Sequence, residues 1–240
     1  VGYLASTNTT TGAGNSSLGR EALEANTTGS NNTALGYQAL TANTTAGNNT
    51  AVGRSALFAN TTGACNTAVG DLALADATTQ SSSTAVGYQA LGCATTGAKN
   101  TAIGFRTGNC LTTGQENVLL GNAAGCLLST GNGNTFLGYV AGADTVGVTT
   151  GCGNVVIGFA ARPSANNAEN QIVIGKAFTG NGDNKISMGS VSGYIWNSYT
   201  VNASWTQVSD CRLKSNIQDD PLGLSFINAL CPKTFTWTPN

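Results

Sequence analysis

The chain contains no histidine, and only 9% of its 240 residues are charged. It therefore lacks the side chain that most often binds transition metals and serves as a general base near neutral pH. Ten basic and eleven acidic residues are scattered along it and leave a net charge of −1, so no basic patch marks a nucleic-acid partner. No apolar run reaches the roughly 18 residues of a membrane span. No charged segment followed by an apolar core marks a secretory signal at the N-terminus. The seven cysteines include no CxxC pair and have neither the spacing of a zinc site nor that of a disulfide scaffold. The expectation is a chain with no cofactor, no metal, no nucleic-acid partner and no membrane span.

What the chain has is glycine, 32 residues of it, in a fixed rhythm. Gly2, Gly19, Gly36, Gly53, Gly70, Gly87, Gly104, Gly121 and Gly138 stand 17 residues apart, and Gly158, Gly175 and Gly189 follow at steps of 20, 17 and 14. A short fixed period means one unit stacked on copies of itself. Disordered chains of low complexity lack regular apolar positions; here they are regular. Before the glycine comes Val1, Leu18, Leu35, Val52, Val69, Val86 or Ile103, and three residues after it Ala22, Ala39, Ala56, Ala73 or Ala90. An Asn column runs through Asn15, Asn32, Asn49 and Asn66, and a Thr pair recurs as Thr27-Thr28, Thr44-Thr45 and Thr61-Thr62.

A Thr- and Gly-rich unit of 17 residues resists helix and suits two short β-strands with two turns. Thr-Ala-Val alternates, so Thr and Val point one way and Ala the other. Both sides are small or apolar, and so thin a rung needs more core than it encloses. The Ala face is the expected site of association with two further chains. Glycine allows the turn after the strand, and the Asn and Thr columns form hydrogen-bond ladders between rungs. With rungs about 4.8 Å apart, twelve of them make a rod roughly 55 Å long. The strand-centre Ala gives way to Leu119, Phe136, Val156 and Val173, so the core thickens toward the C-terminal end. Cys93 and Cys110, 17 apart, lie above one another, either as buried apolar thiols or as an inter-rung disulfide in an oxidising compartment.

The repeat NTALGYQAL resembles the head repeats of trimeric autotransporter adhesins, although the period here is longer. That resemblance implies a parallel β-roll assembled as a homotrimer. Beyond Gly189 the repeat stops and Tyr194, Trp196, Tyr199 and Trp205 mark an aromatic neck over residues 190–208. The string SDCRLKSNI at residues 209–217 resembles the opening of the endosialidase-type intramolecular chaperone of phage tail fibres and tailspikes. LGLSFINALCPKTFTW, which follows, resembles the next part of that domain. Asp220 and Pro221 form a helix start; Leu222, Phe226, Ile227 and Leu230 share one face, Pro232 ends the helix, and Phe235 and Trp237 alternate as in a strand. The resemblance implies autocatalytic cleavage of the Ser209–Asp210 bond, with Ser209 as nucleophile and Lys214 as base. It also implies that the domain holds three chains in register, which suits identical rungs prone to slippage.

The sequence thus reads as all-β, a parallel β-solenoid of about 17-residue rungs in a homotrimeric fibre, with a short α/β start of a C-terminal chaperone domain. Residues 1–189 form the solenoid, 190–208 the neck, and 209–240 an incomplete chaperone-like domain; both ends read as cuts through a longer protein. The expected function is a structural tail fibre or tailspike of a virus particle, a bacteriophage, acting extracellularly in host attachment. Its partners would be other virion tail proteins and a host receptor such as a surface glycan. A cellular trimeric adhesin at the cell surface is the alternative. A polysaccharide depolymerase needs paired carboxylates, and Glu21, Glu24, Asp71 and Asp76 are scattered singly over the rungs. Ice binding by the Thr columns is a further reading. Arg54, Asp71, Tyr88 and Phe105, in the variable column after each glycine, read as no coherent site.

Overall fold

A computed structural model of the chain describes residues 2–143, 148–199 and 206–207, the last pair by backbone alone. The chain divides into units 1–208 and 209–240, and only residues of the first are described. Those residues form a parallel β-solenoid. Its strands are β1 (Ser16–Leu18), β2 (Thr33–Leu35), β3 (Thr50–Val52), β4 (Thr67–Val69), β5 (Thr84–Val86), β6 (Thr101–Ile103) and β7 (Val118–Leu120). The series continues with β8 (Thr135–Leu137), β9 (Val155–Ile157), β10 (Ile172–Lys176), β11 (Lys185–Ser190), β12 (Gly193–Ser198) and β13 (Thr206–Gln207). All thirteen lie in one sheet in chain order. Pairing is parallel from β1 to β11, one full repeat out of step, so that Thr50 sits on Thr67, Ala51 on Ala68 and Val52 on Val69.

From β1 to β9 each rung carries a single three-residue strand, not the two expected from its length, and β10 and β11 lengthen that one strand to five and six residues. The reason lies after the glycine. Residues two and four places on take positive φ, as at Ser55 (53°) and Leu57 (52°), and extended structure cannot continue through them. The backbone still bonds in both directions along the stack: the Ser55 N–H donates to the Tyr37 carbonyl at 2.8 Å, and the Leu57 N–H to the Ala73 carbonyl at 3.0 Å. The left-handed conformation costs a Leu about 1–2 kcal/mol. Here it turns the side chain of Leu57 inside, fully buried, and burial of a Leu is worth about 1.5–3 kcal/mol. Burial outweighs strain, which is how a turn can supply the largest core residue.

The core settles which face of the alternation is inside. Ala51, Ala68, Ala85 and Ala102 are 0% exposed; the small side chains lie within the rung, packed against the turn leucines. The expectation that the Ala face meets other chains is therefore wrong. Toward the C-terminal end the same volume is filled the other way round. The strand centre enlarges to Leu119 and Phe136, both buried, while the turn position occupied by Leu57 and Leu74 becomes Gly108, Gly125 and Gly142. A Cβ on Gly142 would collide with the Phe136 ring, and one on Gly125 would lie 2.9 Å from Leu119 Cδ2. The thickening read from the strand column is half of this exchange between strand and turn. A third column follows suit, from Asn26, Asn43 and Asn60 to Leu111, Leu128 and Val148, all buried.

Buried polar groups are tolerated because the next rung satisfies them. The Asn49 N–H donates to Asn32 Oδ1 at 3.0 Å, and Asn49 Nδ2 donates to the Gly63 carbonyl at 2.9 Å. The same link runs through Asn66, Asn117, Asn134 and Asn154. The first Thr of each pair forms the second ladder, as where Thr61 Oγ1 donates to the Thr78 carbonyl at 3.0 Å. Where a ladder stops, a cost shows. Asn60 Oδ1 is buried without a hydrogen-bond partner, because the residue one repeat on is Ala77; such an orphan costs about 1–3 kcal/mol.

The register lengthens by three residues between Ala141 and Thr149, since Gly125 still bonds to Ala141 but Ser129 bonds to Thr149. Parallel stacking ends at β11, which β12 covers as an antiparallel neighbour. Tyr194 of β12 packs its ring 4.9 Å from that of Phe178, and the Lys185 ammonium lies 4.7 Å from the Trp196 ring centroid. These aromatics of the expected neck are engaged within their own chain. Trp205 and the expected helix and strand of residues 220–237 lie outside the described residues.

Candidate functional site

Ser209, Lys214 and the Ser209–Asp210 bond also lie outside the described residues. Of the scattered carboxylates, Asp71 accepts from Arg54 at 2.9 Å, and Glu21 accepts from Arg20 at 2.8 Å and from Gln38 at 2.7 Å. Both are engaged along the stack, which leaves the depolymerase reading without a carboxylate pair at these positions. Exposed ion pairs of this kind contribute about 0–1 kcal/mol. The Arg54–Asp71 and Lys99–Glu116 pairs each join residues 17 apart, so their effect is to mark which rung sits on which. Among the described residues no group of three His, Cys, Asp or Glu could hold a metal ion. No helix among them is long and apolar enough to cross a membrane.

The principal surface feature is the outer face of the sheet. From β1 to β9 each strand turns its first and third residues outward. Those positions hold only Ser, Thr, Val, Leu and Ile, with no charged side chain. Leu35, Ile103, Leu120 and Leu137 are each about 40% exposed. On the other side of the glycine column stands a second outward file. Tyr88 stacks on Phe105 with ring centroids 5.3 Å apart, and Tyr139 on Phe159 at 5.2 Å. The Arg20 guanidinium lies 5.9 Å from the Tyr3 ring centroid and 5.7 Å from that of Tyr37. The variable column thus pairs locally along the stack, Arg54 with Asp71 and Tyr88 with Phe105, contacts that the sequence reading did not give. Its signal was available, since all these residues directly follow a column glycine. What the sequence did not state was that rings one repeat apart come into face-to-face contact. Soluble monomers rarely leave a continuous apolar file like that from Leu18 to Ile157 uncovered.

The turn face carries a thiol cluster. Cys93 and Cys110 are exposed and free, not the buried pair the sequence favoured. They border two shallow concavities: one of about 200 Å³ with Asp76, Gln89 and Cys93, and one of about 220 Å³ with Phe105, Arg106, Cys110 and Cys126. Partial desolvation pushes the Cys93 thiol above its ordinary pKa; Asp76 and Cys110 add to this and Arg106 opposes it. Desolvation, reinforced by Cys110, raises Cys126 in the same sense. The raised pKa makes Cys93 and Cys126 weak nucleophiles at neutral pH, and no described residue near them is arranged as a catalytic base.

Comparison with known proteins adds no identity to this geometry: no family model, no curated protein and no solved structure matches the chain.

Proposed function

We propose that the chain is the shaft of a homotrimeric extracellular fibre, of the tail-fibre or tailspike kind carried by a bacteriophage, in which three copies pack through their outer sheet faces. The observation that carries this reading is the uncharged, apolar outer face that runs along the strands. Val, Leu and Ile in one file, and mainly Thr with Ser16, Val118 and Val155 in the other, give neighbouring chains an uncharged surface to bury. The central Ala file, which lies inside each rung, is not the surface involved. The string SDCRLKSNI supports the viral setting, because its resemblance to a self-cleaving chaperone supplies what identical rungs lack, a means of setting three chains in register. In this reading the chain is structural, and its own cleavage at Ser209 is its one enzymatic act. The stacked aromatic column is the part of the surface offered to a receptor or to other tail proteins.

Sedimentation velocity tests the assembly. The expected species has three times the mass of one chain, 24.1 kDa when uncut and less when cut at Ser209, and placing carboxylates in the file by Val69→Asp with Val86→Asp disperses it to folded monomers. A stable wild-type monomer at micromolar concentration overturns the trimer. The cleavage is tested separately by intact mass spectrometry of the protein from its source particle. The chain should end at Ser209, and Ser209→Ala should retain residues 210–240; cleavage that persists in that variant removes Ser209 as the nucleophile.

A further inference from the structure

We propose that Cys93 and Cys110 form a disulfide that clasps two neighbouring rungs when the protein meets a disulfide oxidant such as oxidised glutathione. Three observations place the two thiols together. They are 17 residues apart, one repeat, in a stretch where rung follows rung without insertion. The Cys93 N–H donates to the Asn109 carbonyl at 3.2 Å, the parallel-ladder bond that sets Cys93 level with Cys110. Both side chains are exposed and free, so an oxidant can reach them. Rungs stack at about 4.8 Å, inside the 4.4–6.8 Å range of Cα separations that a disulfide spans. Desolvation and then Asp76 raise the Cys93 pKa, and the smaller further rise from Cys110 agrees with two thiols in one another's field.

Cys126 is the competing partner and is out of register. The Cys110 N–H donates to the Cys126 carbonyl at 3.3 Å, which puts the following residue, Leu127, level with Cys110. Cys126 is also less exposed than either proposed partner. The chemistry balances as two exchanges. The Cys110 thiolate attacks one sulfur of oxidised glutathione and expels a glutathione thiolate. The Cys93 thiolate then attacks the Cys110 sulfur of the mixed disulfide and expels the second. Two cysteine thiols are oxidised, one glutathione disulfide is reduced to two thiols, and the protons lost by the cysteines are taken up by the departing thiolates. This inference is independent of the fibre reading, since it concerns contacts within one chain.

The test is peptide mapping of the intact chain, incubated with oxidised glutathione or with dithiothreitol, alkylated, and cut with trypsin and a glutamate-specific protease. Cys93 falls on peptide 55–99, Cys110 on 107–116, and Cys126 on 117–169. The expected product joins 55–99 to 107–116, is lost after reduction and in Cys93→Ser, and persists in Cys65→Ser, which removes the other thiol of peptide 55–99. Wild-type protein in which Cys110 is joined to 117–169, is capped by glutathione alone, or links two chains on a non-reducing gel overturns the proposal.

Discussion

Gly70→Ala is expected to destabilise the solenoid by more than about 4 kcal/mol, the range in which single substitutions are exceptional. Two effects coincide at that position. Gly70 has φ near 135°, a conformation that side-chain-bearing residues rarely adopt. A Cβ there would be driven into the carbonyl group of Gly87 one rung on. Neither rung can yield, because both are held by parallel strand bonds, by the ladder through Asn66, Ser83 and Asn100, and by the Thr78 and Thr95 hydroxyls. In a stack that communicates only through nearest neighbours, one displaced rung breaks the column at that point. Chemical denaturation followed by circular dichroism measures the loss, with Thr79→Ala as the control. Thr79 is exposed, so its substitution should stay within about 0.5 kcal/mol of wild type. A Gly70→Ala protein as stable as the control removes the close approach of the glycine column as the source of the period.

The second large effect is expected at Phe136. Phe136→Ala should cost about 3–5 kcal/mol, the range for removing a buried ring. The upper part of that range is expected because the turn beside it, Gly142, offers no side chain to fall into the space. The same geometry predicts a rescue. A Cβ on Gly142 meets only Phe136 atoms as its nearest neighbours, and the equivalent turn position holds Leu in the early rungs, as at Leu57 and Leu74. Phe136→Ala combined with Gly142→Leu rebuilds the early arrangement, small at the strand and large at the turn, and should recover at least half of the loss. Gly142→Leu alone should destabilise by about 1–3 kcal/mol through overpacking. If the double variant is no more stable than Phe136→Ala, strand and turn do not share one volume.

These two positions also show how far the sequence reaches. A stacked fold turns spacing along the chain into contact between rungs, so the 17-residue step alone determined the parallel solenoid, its register, and the ladders of Asn49 and Thr61. It also determined the need for glycine after each strand, because residues in one column must lie above one another whatever the rung's shape. The path within a rung was not legible. Thr-Ala-Val fixes that Ala faces away from Thr and Val, yet both sides are compatible with burial, and nothing local says which is inside. The tertiary structure decided it through the left-handed turns at Ser55 and Leu57, which swing a leucine inward against the Ala column. Helix and strand propensities do not encode such turns, since a leucine accepts a positive φ only where the burial it gains exceeds the strain. The same path put Cys93 and Cys110 in solvent and stacked Tyr88 on Phe105. The period set which residues meet across rungs; the turns set which of them meet water.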